Sequence, residues 1–251
     1  MPARCDISGP VALLELDNPE RHNALNPELL EAIGAALDRI ESDHEGPVLR
    51  IRGRGPSFCS GFDLDRIRED RDLLDHFLKE LSSISRRLRR LRQIVVAEIR
   101  GSALAGGCAI ASACDLVCVE AGARLGYPVH AIGLSPAVSL PTLLDLVGGG
   151  VATEFMLSGR IADGREALRI GLAHRLADSP EELAGMVDEL CESLARKGWN
   201  ALAVTKAWVN EIAGAERDGP FDRTLEASLE TGRSDEATRM LEAWWNRPRG
   251  G

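Results

Sequence analysis

The sequence predicts an α/β fold with a helical C-terminal extension. Strand-like and helix-like segments alternate over roughly the first 175 residues and only helical patterns follow, the order expected of a layered α/β core with an appendage. Small-residue and glycine-rich turns join several strands to the helices after them. With 251 residues, 44% of them apolar, the chain can bury a large core of ordinary globular composition.

In chain order, residues 3–17 carry two short strands around the Ser8-Gly9-Pro10 turn. A polar loop, Asp17 to Leu25, leads to Asn26-Pro27, a helix cap followed by proline at the first helical position. The helix runs to about Ser42, with Leu29, Leu30, Ile33, Ala36, Leu37 and Ile40 on one face. Val48-Leu49-Arg50-Ile51-Arg52 is the next strand. The loop from Gly53 to Leu64 has two glycines of a dinucleotide fingerprint, but Pro56 and the missing third glycine break it. Residues 71–92 read as an amphipathic helix with a basic end, Arg86 to Arg92, expected to be a solvated face rather than an RNA or phosphate site.

Ile94-Val95-Val96-Ala97 reads as a buried strand that passes through Gly101 and the Gly106-Gly107 pair into a small-residue helix reaching Asp115. Such a turn presents free N–H groups at the positive end of a helix, a place for an oxyanion. Small residues also let a helix lie close against a sheet, so packing is the competing reading. Leu116 to Val119 follows as a strand, Ala123 to His130 as an extended piece and Ile132 to Ala137 as a loop. Short helices are expected over 138–147 and 151–157, a further helix from Asp163, and strand character at Ala173 to Ala177. From Ser179-Pro180 the chain is helical, with breaks near Lys197-Gly198, Gly214 and Asp218-Gly219-Pro220.

A net charge of −9 argues against general nucleic-acid affinity. No apolar run reaches the ~18 residues of a membrane span, and the first residues lack the apolar core of a secretion signal, so a cytoplasmic protein without membrane contact is expected. Cys5, Cys59, Cys108, Cys114, Cys118 and Cys191 show no spacing suited to zinc; buried, reduced thiols are expected and no metal.

Four blocks occur together: Asn18-Pro19-Glu20-Arg21-His22-Asn23-Ala24-Leu25; Phe58-Cys59-Ser60-Gly61-Phe62-Asp63-Leu64; Gly101 to Cys108 with Cys114-Asp115; and Leu157-Ser158-Gly159-Arg160-Ile161 with Ala167 and Gly171-Leu172. In this order the sequence resembles the enoyl-CoA hydratase/isomerase (crotonase) superfamily. The resemblance implies a crotonase-like spiral of β-β-α turns over residues 1–195 and a helical trimerisation region over 196–251. A homotrimer or a dimer of trimers follows from it. It also implies an acyl-CoA ligand, with coenzyme A part of the substrate rather than a resident cofactor. By position, the thioester oxygen would lie between the backbone N–H groups of Phe62 and Gly106. Arg21, Ala24, Leu25, Ser60, Gly61, Leu64 and Gly107 would border the ligand, and Asp63 reads as a helix cap.

The sequence departs from the family where proton transfer is expected. Hydratases there use two glutamates, because the attacking water loses a proton while the α-carbon gains one. Their positions hold Ala109 and Val129. Tyr127 and His130 are the neighbouring candidates for pocket work, with packing or a surface place as the alternative. In an extended segment His130 would face away from the usual position. Cys59 and Cys108 read as packing residues, as do Trp244 and Trp245, while Arg247 and Arg249 could reach a phosphate. The loop from Gly133 to Leu140 carries no acid.

Three functions remain open. The first is oxyanion or enolate stabilisation with proton transfer supplied otherwise, as in decarboxylation, thioester hydrolysis or C–C cleavage. The second is an acyl-CoA binding or carrier protein without catalysis. The third is an atypical hydratase or isomerase.

Overall fold

The computed structural model describes residues 2–215 and 217–247. β1 (Ala3–Asp6) pairs antiparallel with β2 (Val11–Leu16). α1 (Pro27–Asp43) starts where the Asn26 side chain accepts the Leu29 N–H at 2.8 Å, and it buries the apolar face that its periodicity predicts. β3 (Val48–Gly53), α2 (Leu64–Glu69), α3 (Leu73–Arg90), β4 (Ile94–Ile99), β5 (Ser102–Leu104), α4 (Gly106–Ser112), β6 (Leu116–Glu120) and β7 (Arg124–Gly126) follow. Two 3₁₀ turns, Pro128–Ile132 and Ala137–Ser139, lead into α5 (Leu140–Val147) and α6 (Gly149–Ser158). The core ends with β8 (Ile161–Asp163), α7 (Gly164–Arg169) and β9 (Arg175–Ala177). Four helices complete the chain: α8 (Pro180–Ala195), α9 (Trp199–Ala213), α10 (Asp218–Gly232) and α11 (Asp235–Trp245).

The large sheet has the order β1-β2-β3-β4-β6-β9, parallel except for the first pair. β4 is central and buried at all six positions, as a parallel strand covered on both faces should be. Its Glu98 is tolerated there because Arg50 Nε donates to its carboxylate at 2.7 Å. A second sheet has the order β5-β7-β8, with β5 and β7 parallel and β8 antiparallel to β7.

Several expectations need correction. The Gly101 stretch does not run straight into a helix: β5 intervenes, and at three residues it is too short for a period-2 signal. Residues 128–132 form a 3₁₀ turn, so the alternation that placed His130 on the opposite face does not apply. Asp218 to Pro220 opens α10 instead of breaking a helix. The basic end of α3 is not simply solvated. Arg87 pairs with Asp38 and Glu41 of α1, and Arg86 with Asp218 and Asp222 of α10, so these half-buried arginines clamp three helices together.

The C-terminal helices fold back onto the core. α10 packs on α3 and on the Ala137–Ser139 turn, and α11 packs on the Pro128–Ile132 turn. α9 is fixed by Lys206, whose buried ammonium lies 2.7 Å from Asp115 and donates to the carbonyls of Leu88 and Gln93 at 3.2 and 2.9 Å. Burial pushes the Lys206 pKa down and the Asp115 pKa up, while their mutual attraction opposes both shifts. No helix among the described residues is long and apolar enough to cross a membrane.

Candidate active site

Three loops distant in sequence are stitched side by side. Asn23, fully buried, accepts the Asn18 N–H at 2.8 Å and donates to the carbonyls of Arg54 (3.0 Å) and Ser57 (2.8 Å), tying the first loop to the second. Leu25 N–H donates to Gly61 O and Asp63 N–H to Leu25 O, which holds Phe62 in a bridge beside Leu25. Cys59 N–H donates to Ser102 O and accepts from Leu104 N–H through its carbonyl, which joins the second loop to β5. The turns bearing Phe62 and Gly106 therefore abut.

Two glycines permit this approach. Gly61 has φ +95°, and a Cβ there would lie 3.0 Å from both Ala105 Cβ and Leu104 O and 3.6 Å from Gly106 N. At Gly107 a Cβ would meet Cys59 O at 2.3 Å. Ala105, the residue before α4, takes φ 48° and ψ −114°, a strained conformation for a residue with a Cβ. Its effect is to turn the chain so that Gly106 opens the helix with no acceptor behind its N–H. Among the described residues, neither Phe62 N–H nor Gly106 N–H donates a hydrogen bond within the protein.

Both residues border a narrow inner cavity of about 40 Å³. Leu74, Leu78 and Leu81 of α3 form one wall, Val129 and Leu134 another, and Ser135, Ser139 and Ser228 close the far end beside Tyr127. Among the described residues, no Asp, Glu, His, Lys or Arg side chain lines it. Ser228 Oγ accepts the Val138 N–H at 2.9 Å and donates to Ser135 O at 3.2 Å, so α10 helps to shape the cavity. Tyr127 is fully buried, with its hydroxyl 3.3 Å from Ser112 Oγ; burial raises its pKa well above the usual phenol value and keeps it neutral. Phe62, Ala105, Val129 and Leu134 also border an outer chamber of about 180 Å³, which opens past Ser60, Leu64 and Trp244 into a mouth lined by Glu20, Arg21, His22, Ala24, Asp63 and Asp65.

A sequence profile of the family described as enoyl-CoA hydratase/isomerase matches residues 6–241. The chain belongs to this family. It is 31% identical over 205 residues to a short-chain-enoyl-CoA hydratase of Clostridium acetobutylicum, covering 80% of this chain and 78% of that protein. With a crotonyl-CoA hydratase of Syntrophomonas wolfei it shares 30% identity over 221 residues, 86% of this chain and 82% of the relative. Among solved structures, an enoyl-CoA hydratase/isomerase from Xanthobacter autotrophicus superposes with a TM-score of 0.87 at 28% identity, covering 97% of this chain and 92% of that one.

Within this enoyl-CoA hydratase/isomerase fold the residues singled out in the sequence separate into groups. Phe62, Gly106, Tyr127 and Val129 meet at the inner cavity, and Arg21, Ala24, Ser60, Asp63 and Leu64 meet at the mouth or chamber. Asp63 caps α2, accepting from the Asp65 and Arg66 N–H groups, and it also engages Arg21 at 3.4 Å. Leu25 and Gly107 lie behind the donors as packing, and Ala109 is fully buried in α4. His130 is exposed and lines none of these spaces, which removes it from the candidates for proton transfer. Burial pushes the Cys59 and Cys108 thiols up to about 12, so neither is a thiolate nucleophile near neutral pH. Arg247 is exposed, and Arg249 lies outside the described residues.

The α3 leucines, Ser135, Ser139, Ser228 and Trp244 were not legible as site residues. The leucines belong to an ordinary amphipathic stripe, and Ser228 reaches the cavity from 90 residues beyond Val138. Trp244 packs against the core as expected and also lines the passage.

Proposed function

We propose that this chain binds an acyl-CoA thioester with its carbonyl oxygen between Phe62 N–H and Gly106 N–H and catalyses decarboxylation of a β-carboxyacyl group. One observation carries the reading: among the described residues, the inner cavity offers two unpaired backbone donors and no side chain fit to act as a general base. Hydration, the reaction in the names of the Clostridium and Syntrophomonas relatives, needs a base for water and an acid for the α-carbon. Ala109 and Val129 supply neither. Loss of CO₂ needs no base, because the electrons of the breaking C–C bond form the enolate. The two N–H groups stabilise the charge as it moves onto the thioester oxygen.

The uncharged cavity suits this chemistry. A cation beside the carboxylate would stabilise the ground state and raise the barrier, whereas hydroxyl-bearing walls solvate it weakly. The enolate then takes one proton at its α-carbon. The proposed source is a water, with the Tyr127 hydroxyl at the cavity wall passing its own proton to the carbon as it takes one from that water, so that hydroxide leaves with the CO₂ as bicarbonate and no phenolate is left buried.

Purified protein offered malonyl-CoA, methylmalonyl-CoA, crotonyl-CoA and butyryl-CoA is expected to release CO₂ from one or both of the first two and leave crotonyl-CoA unhydrated. Tyr127→Phe is expected to lower that kcat by roughly 10²-fold, the usual contribution of a positioned acid. Hydration of crotonyl-CoA by the wild-type chain refutes the proposal. Binding of all four esters with turnover of none favours the second reading, an acyl-CoA binding protein, which the same lack of acids supports.

We also propose residues 1–195 as the ligand-binding core and 196–251 as the assembly region of a homotrimer or a dimer of trimers. Support comes from α9, where Val204, Trp208, Val209 and Ile212 leave 52%, 63%, 57% and 83% of their surface exposed. Light scattering that finds a monomer contradicts the assembly. Six free cysteines fit a reducing compartment, in keeping with cytoplasmic work.

A further inference from the structure

The indole of Trp244 stands where the mouth narrows into the outer chamber: it lines both, together with Ser60, Phe62 and Leu64. The inner cavity shares Phe62, Ala105, Val129 and Leu134 with the chamber, and the chamber shares Ser60, Phe62, Leu64 and Trp244 with the mouth, which sets Trp244 beside a path from the mouth toward Gly106.

α11 holds the indole there by several independent contacts. Ala237 and Leu241 are fully buried. Gly133, which ends the Pro128–Ile132 turn, lies so close under the helix that a Cβ on it would come 2.9 Å from Ala237 Cα. The neighbouring Trp245 donates its indole N–H to Leu64 O at 3.2 Å, and the Arg71 guanidinium lies over its ring at 5.9 Å. α11 is thus anchored both to the turn carrying Val129 and to α2, on opposite sides of the passage. Trp244, half-buried, packs in part against the core, lines the passage with the rest and gives no indole hydrogen bond among the described residues.

We infer that Trp244 is a positioning residue that grips the pantetheine arm of the ligand at the threshold. The assignment rests on the acyl-CoA reading above. An extended arm of methylenes and amides matches an indole, which offers an apolar face and one N–H donor at little cost in conformational entropy. Acidic groups at the mouth, Glu20, Asp63 and Asp65, outnumber Arg21, which Asp63 and Asp65 already engage. Contact with the arm, more than charge at this mouth, therefore provides the hold.

Titration calorimetry with coenzyme A on the full-length chain tests this. Trp244→Ala is expected to weaken binding at least tenfold, Trp244→Phe to keep it within threefold of wild type, and Leu168→Ala, on α7 and bordering none of these spaces, to leave it unchanged. Coenzyme A is also expected to change tryptophan emission, with more than half of that change lost in Trp244→Phe; this arm decides the matter if the alanine variant does not fold. Wild-type affinity in Trp244→Ala, or an undiminished emission change in Trp244→Phe, overturns the role of Trp244 alone. A wild-type chain that does not bind coenzyme A overturns the acyl-CoA reading and this assignment with it.

Discussion

Replacing Gly106 with proline is expected to lower kcat by roughly a hundred- to a thousandfold, the usual cost of one oxyanion donor. The substitution deletes the N–H and adds a ring whose Cβ meets the mobile end of Leu25 at 2.8 Å, a contact the alanine control below shares. Gly106 is the first residue of α4, where proline is tolerated because that N–H has no helical acceptor. Ala105 lies outside the right-handed helical region that a following proline disfavours. The control is Gly106→Ala, which keeps the N–H; its Cβ would meet the mobile end of Leu25 at 2.8 Å, and activity within about tenfold of wild type is expected if that side chain shifts. Thermal melts establish that both variants fold. A folded proline variant with wild-type kcat would remove Gly106 N–H from the mechanism.

Lys206→Met is expected to destabilise the chain by about 3–5 kcal/mol, the range for removing one partner of a buried ion pair. The loss has three parts. Asp115 keeps a charge without its 2.7 Å partner, and the carbonyls of Leu88 and Gln93 lose a donor. Asp115 also accepts the Val95 N–H at 2.7 Å, so the strain reaches β4. Adding Asp115→Asn should recover part of the loss, since an amide costs less to bury than an unpaired carboxylate. Urea denaturation measures both. A loss below about 1 kcal/mol for the single variant would show that water reaches the pair and screens it.

These two residues illustrate what the sequence discloses. Gly106 lies within a local pattern, a buried strand, paired glycines and a small-residue helix, and the turn could be read from it. Lys206 lies on a helix of mixed character, and its buried pairing with Asp115 spans 91 positions of sequence that no local period connects. The same distinction runs through the fold. α1 was legible from its Asn26 cap and its apolar face, and β4 from its continuous apolar run. β5 and β8, of three residues each, were not, because their partners rather than their composition make them strands. At the site, the glycine-assisted turns were legible, as were Tyr127 and Val129, and the remaining cavity walls were not. Leu74, Leu78 and Leu81 look like any amphipathic stripe until the loop carrying Val129 closes over them. His130, for which the sequence favoured a surface or packing place over pocket work, is exposed on the 3₁₀ turn that Pro128 starts.

Incubation of the wild-type chain with malonyl-CoA and crotonyl-CoA in D₂O tests, in one sample, the proposed stabilisation of an enolate without the means to hydrate a double bond. The expected products are CO₂ and acetyl-CoA carrying one deuterium at its methyl carbon, with crotonyl-CoA recovered unhydrated. Formation of 3-hydroxybutyryl-CoA, with malonyl-CoA left intact, would contradict it.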